Sequence, residues 1–186
     1  TNVENLTLLG SANAQATGER EVEIKTPDGT CDAYFVHPAS GTGAGVLIWP
    51  DIFGLRPAMR TMAKRLAGSG YSVLVVNPFY RVGKPTATGA TPIPEMLPFR
   101  KGMTPATDMS DAKTFVAWLD AQPQVNKNRK VGVQGYCMGG PMSFHTASAV
   151  SACQRGGARF SSGVRRHRAG AVDPAPLRAP GRQGFV

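Results

Sequence analysis

The stretch V-G-V-Q-G-Y-C-M-G-G, Val131 to Gly140, decides how this chain is read. Val131 and Val133 with their flanking glycines predict a short buried strand. Met138 to Val150 predicts a helix, with Pro141 in the first turn, where a missing N–H costs little. Between them, Gly135, Cys137 and Gly139 occupy the three defining places of a nucleophile elbow, G-x-Nu-x-G. Such a turn runs sharply from strand to helix and holds its central side chain strained and exposed. A Cβ at either glycine would crowd the crossing. A sulfur at Cys137 also faces the positive end of the following helix, which favours an anion there. The competing reading is a structural cysteine buried beside a glycine turn, so the surrounding sequence has to decide.

Working outward, Glu21 to Lys25 and Cys31 to His37 alternate apolar and polar residues around Pro27-Asp28-Gly29, a hairpin signal. Gly45 to Trp49 and Tyr71 to Val76 are nearly all apolar, as strands covered on both faces are. Pro57 to Leu66 spaces Ala58, Met59, Met62, Ala63 and Leu66 as one helical face, and Gly68 is a natural stop. Val82 to Thr107 is rich in Pro, Gly and Thr and reads as an irregular excursion, a common builder of substrate pockets. Asp108 to Gln122 predicts a helix with Ala112, Phe115, Val116 and Leu119 on one face. The order is that of a parallel α/β sheet opened by an antiparallel hairpin, with helices on both faces. Ligands of such sheets bind at the carboxyl ends of the strands. Pro50, Asp51, Ile52, Asn77, Pro78 and Cys137 all fall there.

At 186 residues the chain is long enough for one well-buried domain, and no apolar run approaches a membrane span. Cys31, Cys137 and Cys153 are too few and too scattered for a disulfide framework or a metal knuckle. They suit a reducing, cytoplasmic setting, with a periplasmic or secreted site left open. Residues 1–18 are expected to be a disordered leader. Ala12 to Ala16 has the small residues of a signal-peptide end, but no basic n-region or adequate h-region precedes it. The formal charge of +9 is uneven: residues 1–150 hold 14 basic and 11 acidic residues, whereas residues 151–186 hold seven arginines and a single acid, Asp173.

Three segments carry a resemblance: V-L-I-W-P-D-I-F-G-L (Val46 to Leu55), G-Y-S-V-L-V-V-N-P-F-Y-R (Gly70 to Arg81) and G-Y-C-M-G-G. In this order, across Gly45 to Val150, the chain resembles the dienelactone hydrolases, an α/β-hydrolase branch with cysteine at the elbow. The D-I-F-G segment and the strand order set it apart from amidotransferase-like domains, which also place cysteine at an elbow. The resemblance implies a three-layer α/β-hydrolase sheet over residues 19–150 and cleavage of a small ester or lactone by Cys137. It implies no metal and no organic cofactor. The oxyanion donors of such a fold map to the backbone N–H groups of Ile52 and Met138. Asp51 stands where the family carries an acid, usually glutamate, that contacts the thiol; its other reading is a carboxylate capping its own loop. Arg81 matches the position that binds a substrate carboxylate; its other reading is a solvated loop arginine.

The resemblance also implies an acid and a histidine on loops after the nucleophile. His37 ends a hairpin strand. His145 lies two helical turns beyond Cys137, roughly 12 Å along the axis at ~1.5 Å per residue. His167 sits among Arg165, Arg166 and Arg168, where neighbouring charge opposes protonation. Residues 151–186 have no lysine, against seven before them, and are mostly Arg, Gly, Ala and Pro. The sheet is therefore expected to be incomplete in its C-terminal half, and the segment to be a disordered tail out of register with the family. A frameshift in GC-rich DNA would produce that change, and resequencing the coding DNA tests it. Without acid and histidine, the chain is expected to be weak or inactive as a hydrolase. The alternative is a binding protein whose basic tail meets nucleic acid or another anion. Only Phe160 and Phe185 are available there for stacking, which argues against nucleic acid.

Overall fold

The computed structural model describes residues 16–88 and 90–150. The predicted leader (from residue 1 to residue 15), the tail with His167 and Asp173, and Cys153 lie outside the described residues. Thr17 and Gly18, which the sequence assigned to the leader, belong instead to the first strand.

β1 (Thr17–Thr26) and β2 (Gly29–Pro38) form the expected hairpin, in register from Thr17 opposite Pro38 to Thr26 opposite Gly29. β3 (Ala44–Trp49), β4 (Tyr71–Val76) and β5 (Gly132–Gly135) are parallel to one another, and β2 joins β4 antiparallel. The sheet order is β1-β2-β4-β3-β5, so β5 is at one edge among the described residues.

The all-apolar strands are explained by cover on two sides. Val46, Ile48, Val73 and Val75 face α1 (Pro57–Gly68) through Met59, Ala63 and Ala67. Their neighbours Leu47, Trp49, Leu74 and Val76 face the opposite layer. That layer is α3 (Pro105–Asp120), through Phe115, Val116 and Leu119, and α4 (Gly139–Ala149), through Met142. Period-two alternation thus feeds two cores, one on each face, at roughly 1.5–3 kcal/mol for each large apolar side chain removed from water. Trp49 is almost fully buried, and its indole N–H donates to Thr146 Oγ1 at 2.8 Å, locking the end of β3 to α4.

Two expectations need correction. The excursion after β4 is not irregular throughout: α2 (Ile93–Met96) runs into a 3-10 turn at Leu97–Arg100. Met96, fully buried, anchors it. Helix α3 starts at Pro105 rather than Asp108, because Thr104 caps it and exchanges hydrogen bonds with Thr107 in a capping box. Above the carboxyl ends of the strands, Ile52, Phe79 and Met96 form a third apolar cluster, joined by Phe53, Phe99, Met103 and Met138.

Candidate active site

The elbow forms where the sequence put it. β5 ends at Gly135, and Cys137 sits at φ 50°, the one non-glycine residue with positive φ among those described. A residue with a Cβ pays roughly 1–2 kcal/mol for that conformation. The glycines on either side are sterically compulsory. A Cβ on Gly135 would lie 2.0 Å from the Gly139 carbonyl oxygen. A Cβ on Gly139 would lie 2.3 Å from Trp49 O and 2.6 Å from Pro50 O. Helix α4 starts at once, with Gly139 N–H donating to Tyr136 O at 2.8 Å and Gly140 N–H to Cys137 O at 3.0 Å. The thiol is exposed and free, whereas Cys31 is buried, where desolvation pushes its pKa up and its Sγ reaches Asn77 O at 3.3 Å.

The loop after β3 lies against this turn. Tyr136 N–H donates to Trp49 O at 3.1 Å, and Ile52 and Met138 share the third apolar cluster. Among the turn, loop and cap hydrogen bonds of the described residues, neither the Ile52 nor the Met138 N–H has an acceptor. Cys137 and the backbone amides of Ile52 and Met138 therefore share one corner of the molecule.

Asp51 belongs to the same loop, but its carboxylate is occupied. One oxygen accepts from Phe53 N–H at 3.0 Å, and the other pairs with Arg56 at 2.5 Å. This is the loop-capping arrangement rather than a contact with the thiol. Arg56 was missed by sequence reading; its position five residues on, just before Pro57, was the available signal.

Arg81 is held by two acidic partners. Its guanidinium forks onto both oxygens of Asp111 at 2.8 Å, and Nε and Nη2 reach Asp28 Oδ2 at 2.9 and 2.6 Å. It also lies 4.6 Å from the centroid of the Tyr80 ring, whose hydroxyl donates to Asp111 at 2.8 Å. Burial works against the charge, but the hydrogen bonds to Asp111 and Asp28 outweigh it and raise the Arg81 pKa above its usual value. Arg81 thereby ties the hairpin turn, the loop after β4 and α3 together. Asp111, with a side chain 4% exposed, is an internal partner with no local signal in the sequence.

A further titratable pair is His145 Nδ1 with Asp108 Oδ2, 3.0 Å apart between α4 and α3. Burial pushes the Asp108 carboxyl up, partly offset by the hydrogen bond to His145. His37 contacts Pro38 O at 2.8 Å through its Nδ1. Among the described residues no helix is long and apolar enough to cross a membrane.

A sheet of this order, with helices on both faces and a strained residue between β5 and α4, defines the α/β-hydrolase class. The chain belongs to the dienelactone hydrolase family: the model of that family matches residues 31–165, on past the change of composition at 151. It is 32% identical over 127 residues to a carboxymethylenebutenolidase of Rhodococcus opacus, a match covering 67% of this chain and 47% of that protein. It is 26% identical over 132 residues to carboxymethylenebutenolidase 1 of Cupriavidus pinatubonensis, covering 68% of this chain and 55% of the other. A solved structure of a dienelactone hydrolase-like promiscuous phosphotriesterase from metagenomic libraries superposes with a TM-score of 0.58 at 27% identity. That match covers 71% of this chain and 54% of that one. The chain spans about half the length of the curated relatives it matches.

Proposed function

We propose that this chain is a hydrolase of the dienelactone hydrolase type, in which Cys137 attacks a small ester or lactone. The observation that carries this reading is Cys137 itself, exposed at φ 50° between a strand end and a helix start, with compulsory glycines on both sides. Strain of this kind persists only where the surrounding structure imposes it, and it aims the sulfur outward. The Ile52 and Met138 amides would hold the developing oxyanion, each such donor being worth roughly 10²–10³ in rate.

In acylation the sulfur bonds to the ester carbonyl carbon as the bond to the leaving oxygen breaks. The alkoxide or phenolate carries off the electron pair, and the thiol proton passes to solvent. Deacylation needs a base to activate water. Among the described residues neither histidine is hydrogen-bonded to Cys137: His145 pairs with Asp108, and His37 contacts its own strand end. Fast acylation followed by slow release is the behaviour expected of these residues.

Stopped-flow release of p-nitrophenolate from p-nitrophenyl acetate tests this. The expected trace is a burst matching the protein concentration, then a slow phase, with the burst lost in Cys137→Ala. A linear trace of equal slope in both proteins would reject the reading.

A further inference from the structure

We infer that the ion pair between Asp51 and Arg56 positions the Ile52 amide for the oxyanion, an inference that rests on the thiol-hydrolase reading above. The loop that carries this amide is fixed to the elbow at its start. Trp49 O accepts the Tyr136 N–H at 3.1 Å, and Pro50 O lies so near Gly139 that a Cβ there would stand 2.6 Å from it. Beyond Pro50 the chain turns back at once. Gly54, at φ 70°, donates its N–H to Asp51 O at 3.0 Å and closes a four-residue turn around Ile52 and Phe53. That closing bond uses neither of the two central amides. The Asp51 carboxylate takes one of them, accepting from Phe53 N–H at 3.0 Å. Of the two, only the Ile52 N–H is left without an acceptor among the described residues.

The carboxylate is in turn pinned from outside the turn. Its second oxygen meets Arg56 Nη2 at 2.5 Å, and both side chains are mostly buried. Arg56 is itself anchored at the start of α1, where its carbonyl accepts from the Met59 and Arg60 N–H groups at 3.0 and 3.3 Å. Its guanidinium also lies 5.5 Å from the centroid of the Phe53 ring. The direction of the free Ile52 amide is thus set by a chain of contacts that runs from α1 through Arg56 and Asp51 to the turn. Neither side chain is asked to touch the reacting atoms; both are positioning residues.

The test separates support of the oxyanion from reactivity of the thiol. Acylation by p-nitrophenyl acetate uses the oxyanion donors. Alkylation by iodoacetamide forms the S–C bond as iodide leaves and develops no oxyanion. Both rates are measured on the full chain after subtracting those of Cys137→Ala. Their ratio is read, because both reactions draw on the same thiolate and its population cancels. Misplacing a reacting group by about an ångström can cost on the order of a hundredfold, so Asp51→Ala is expected to lower the ratio roughly thirtyfold. Arg56→Met keeps an apolar contact for Phe53 but loses the charge, and is expected to lower it roughly tenfold. Arg56→Lys restores a cation and is expected to recover to within about threefold of the wild type. The two Arg56 variants carry the test if Asp51→Ala does not fold. A ratio unchanged in Arg56→Met would overturn the inference, as would an Arg56→Lys no better than Arg56→Met. Absence of Cys137-dependent phenolate release from the wild type, with alkylation intact, would instead overturn the hydrolase reading, and the inference with it.

Discussion

Replacing Gly139 by alanine puts the steric argument for the elbow to a quantitative test, because Gly140 beside it is a built-in control. At Gly139 the new Cβ would meet Trp49 O at 2.3 Å and Pro50 O at 2.6 Å. Ordinary carbon–oxygen contact is more than half an ångström longer, and both neighbours are backbone. Neither can rotate away, so relief requires α4 to lift from β3, where Trp49 and Thr146 are hydrogen-bonded. Overpacking a closed core costs typically 1–3 kcal/mol, and about 3 kcal/mol is expected here because no side chain can yield. At Gly140 a Cβ meets nothing within 4 Å, and alanine is the better helix former by up to about 1 kcal/mol. With a urea m-value of about 2 kcal/mol/M, Gly139→Ala should lower the unfolding midpoint by about 1.5 M. Gly140→Ala should leave it unchanged or raise it. The same samples, titrated with a chromogenic disulfide under native conditions, report whether the Cys137 environment survives. Equal midpoints for the two variants would refute the account of the crossing.

Other perturbations follow from the same geometry. Cys137→Gly removes the φ 50° strain and should exceed Cys137→Ala in stability by about 1 kcal/mol, measured by urea unfolding, though neither can acylate. Asp111→Asn, which strips Arg81 of its buried partner, should cost about 3 kcal/mol, whereas Asp28→Asn at the exposed end of the fork should cost under about 1 kcal/mol. Thr146→Val keeps the shape but leaves the Trp49 indole N–H without its acceptor, at about 1–3 kcal/mol in the same assay. Asp108 predicts a pH dependence. Its folded pKa is raised above the ordinary 3.8, so the folded state holds that proton longer than the unfolded one. Stability from this group is therefore full below 3.8 and is lost as pH rises through the raised value. Asp108→Asn should remove that slope, so the variant's stability relative to wild type should climb from pH 3 upward. A flat difference would show that burial of Asp108 does not set its titration.

The sheet and the elbow were legible because their signals are local. Val46 to Trp49 and Val73 to Val76 are apolar without alternation since each face meets a different helix layer, and that pattern is written in consecutive residues. The elbow glycines announce a crossing too tight for a Cβ. The excursion was harder to read: Pro92, Pro94 and Pro98 look like punctuation, yet a proline early in a short helix forfeits no hydrogen bond. The start of α3 was hidden for a related reason, since Thr104 and Thr107 read as loop residues until their reciprocal hydrogen bonds are seen. Side-chain commitments were least legible. Arg81 finds Asp28 and Asp111 at separations of 53 and 30 residues, and nothing in the local sequence of any of the three announces the others. The family resemblance placed Arg81 by its position along the chain, whereas its partners are set by how the hairpin turn and α3 meet.

The most direct test of the central claim is the intact mass of the protein after incubation with p-nitrophenyl acetate, wild type beside Cys137→Ala. One added acetyl group is expected on the wild type, located to Cys137 by peptide mapping, and none on the variant. An unmodified wild type in a folded sample, or an acetyl group that persists at the same level in Cys137→Ala, would contradict it.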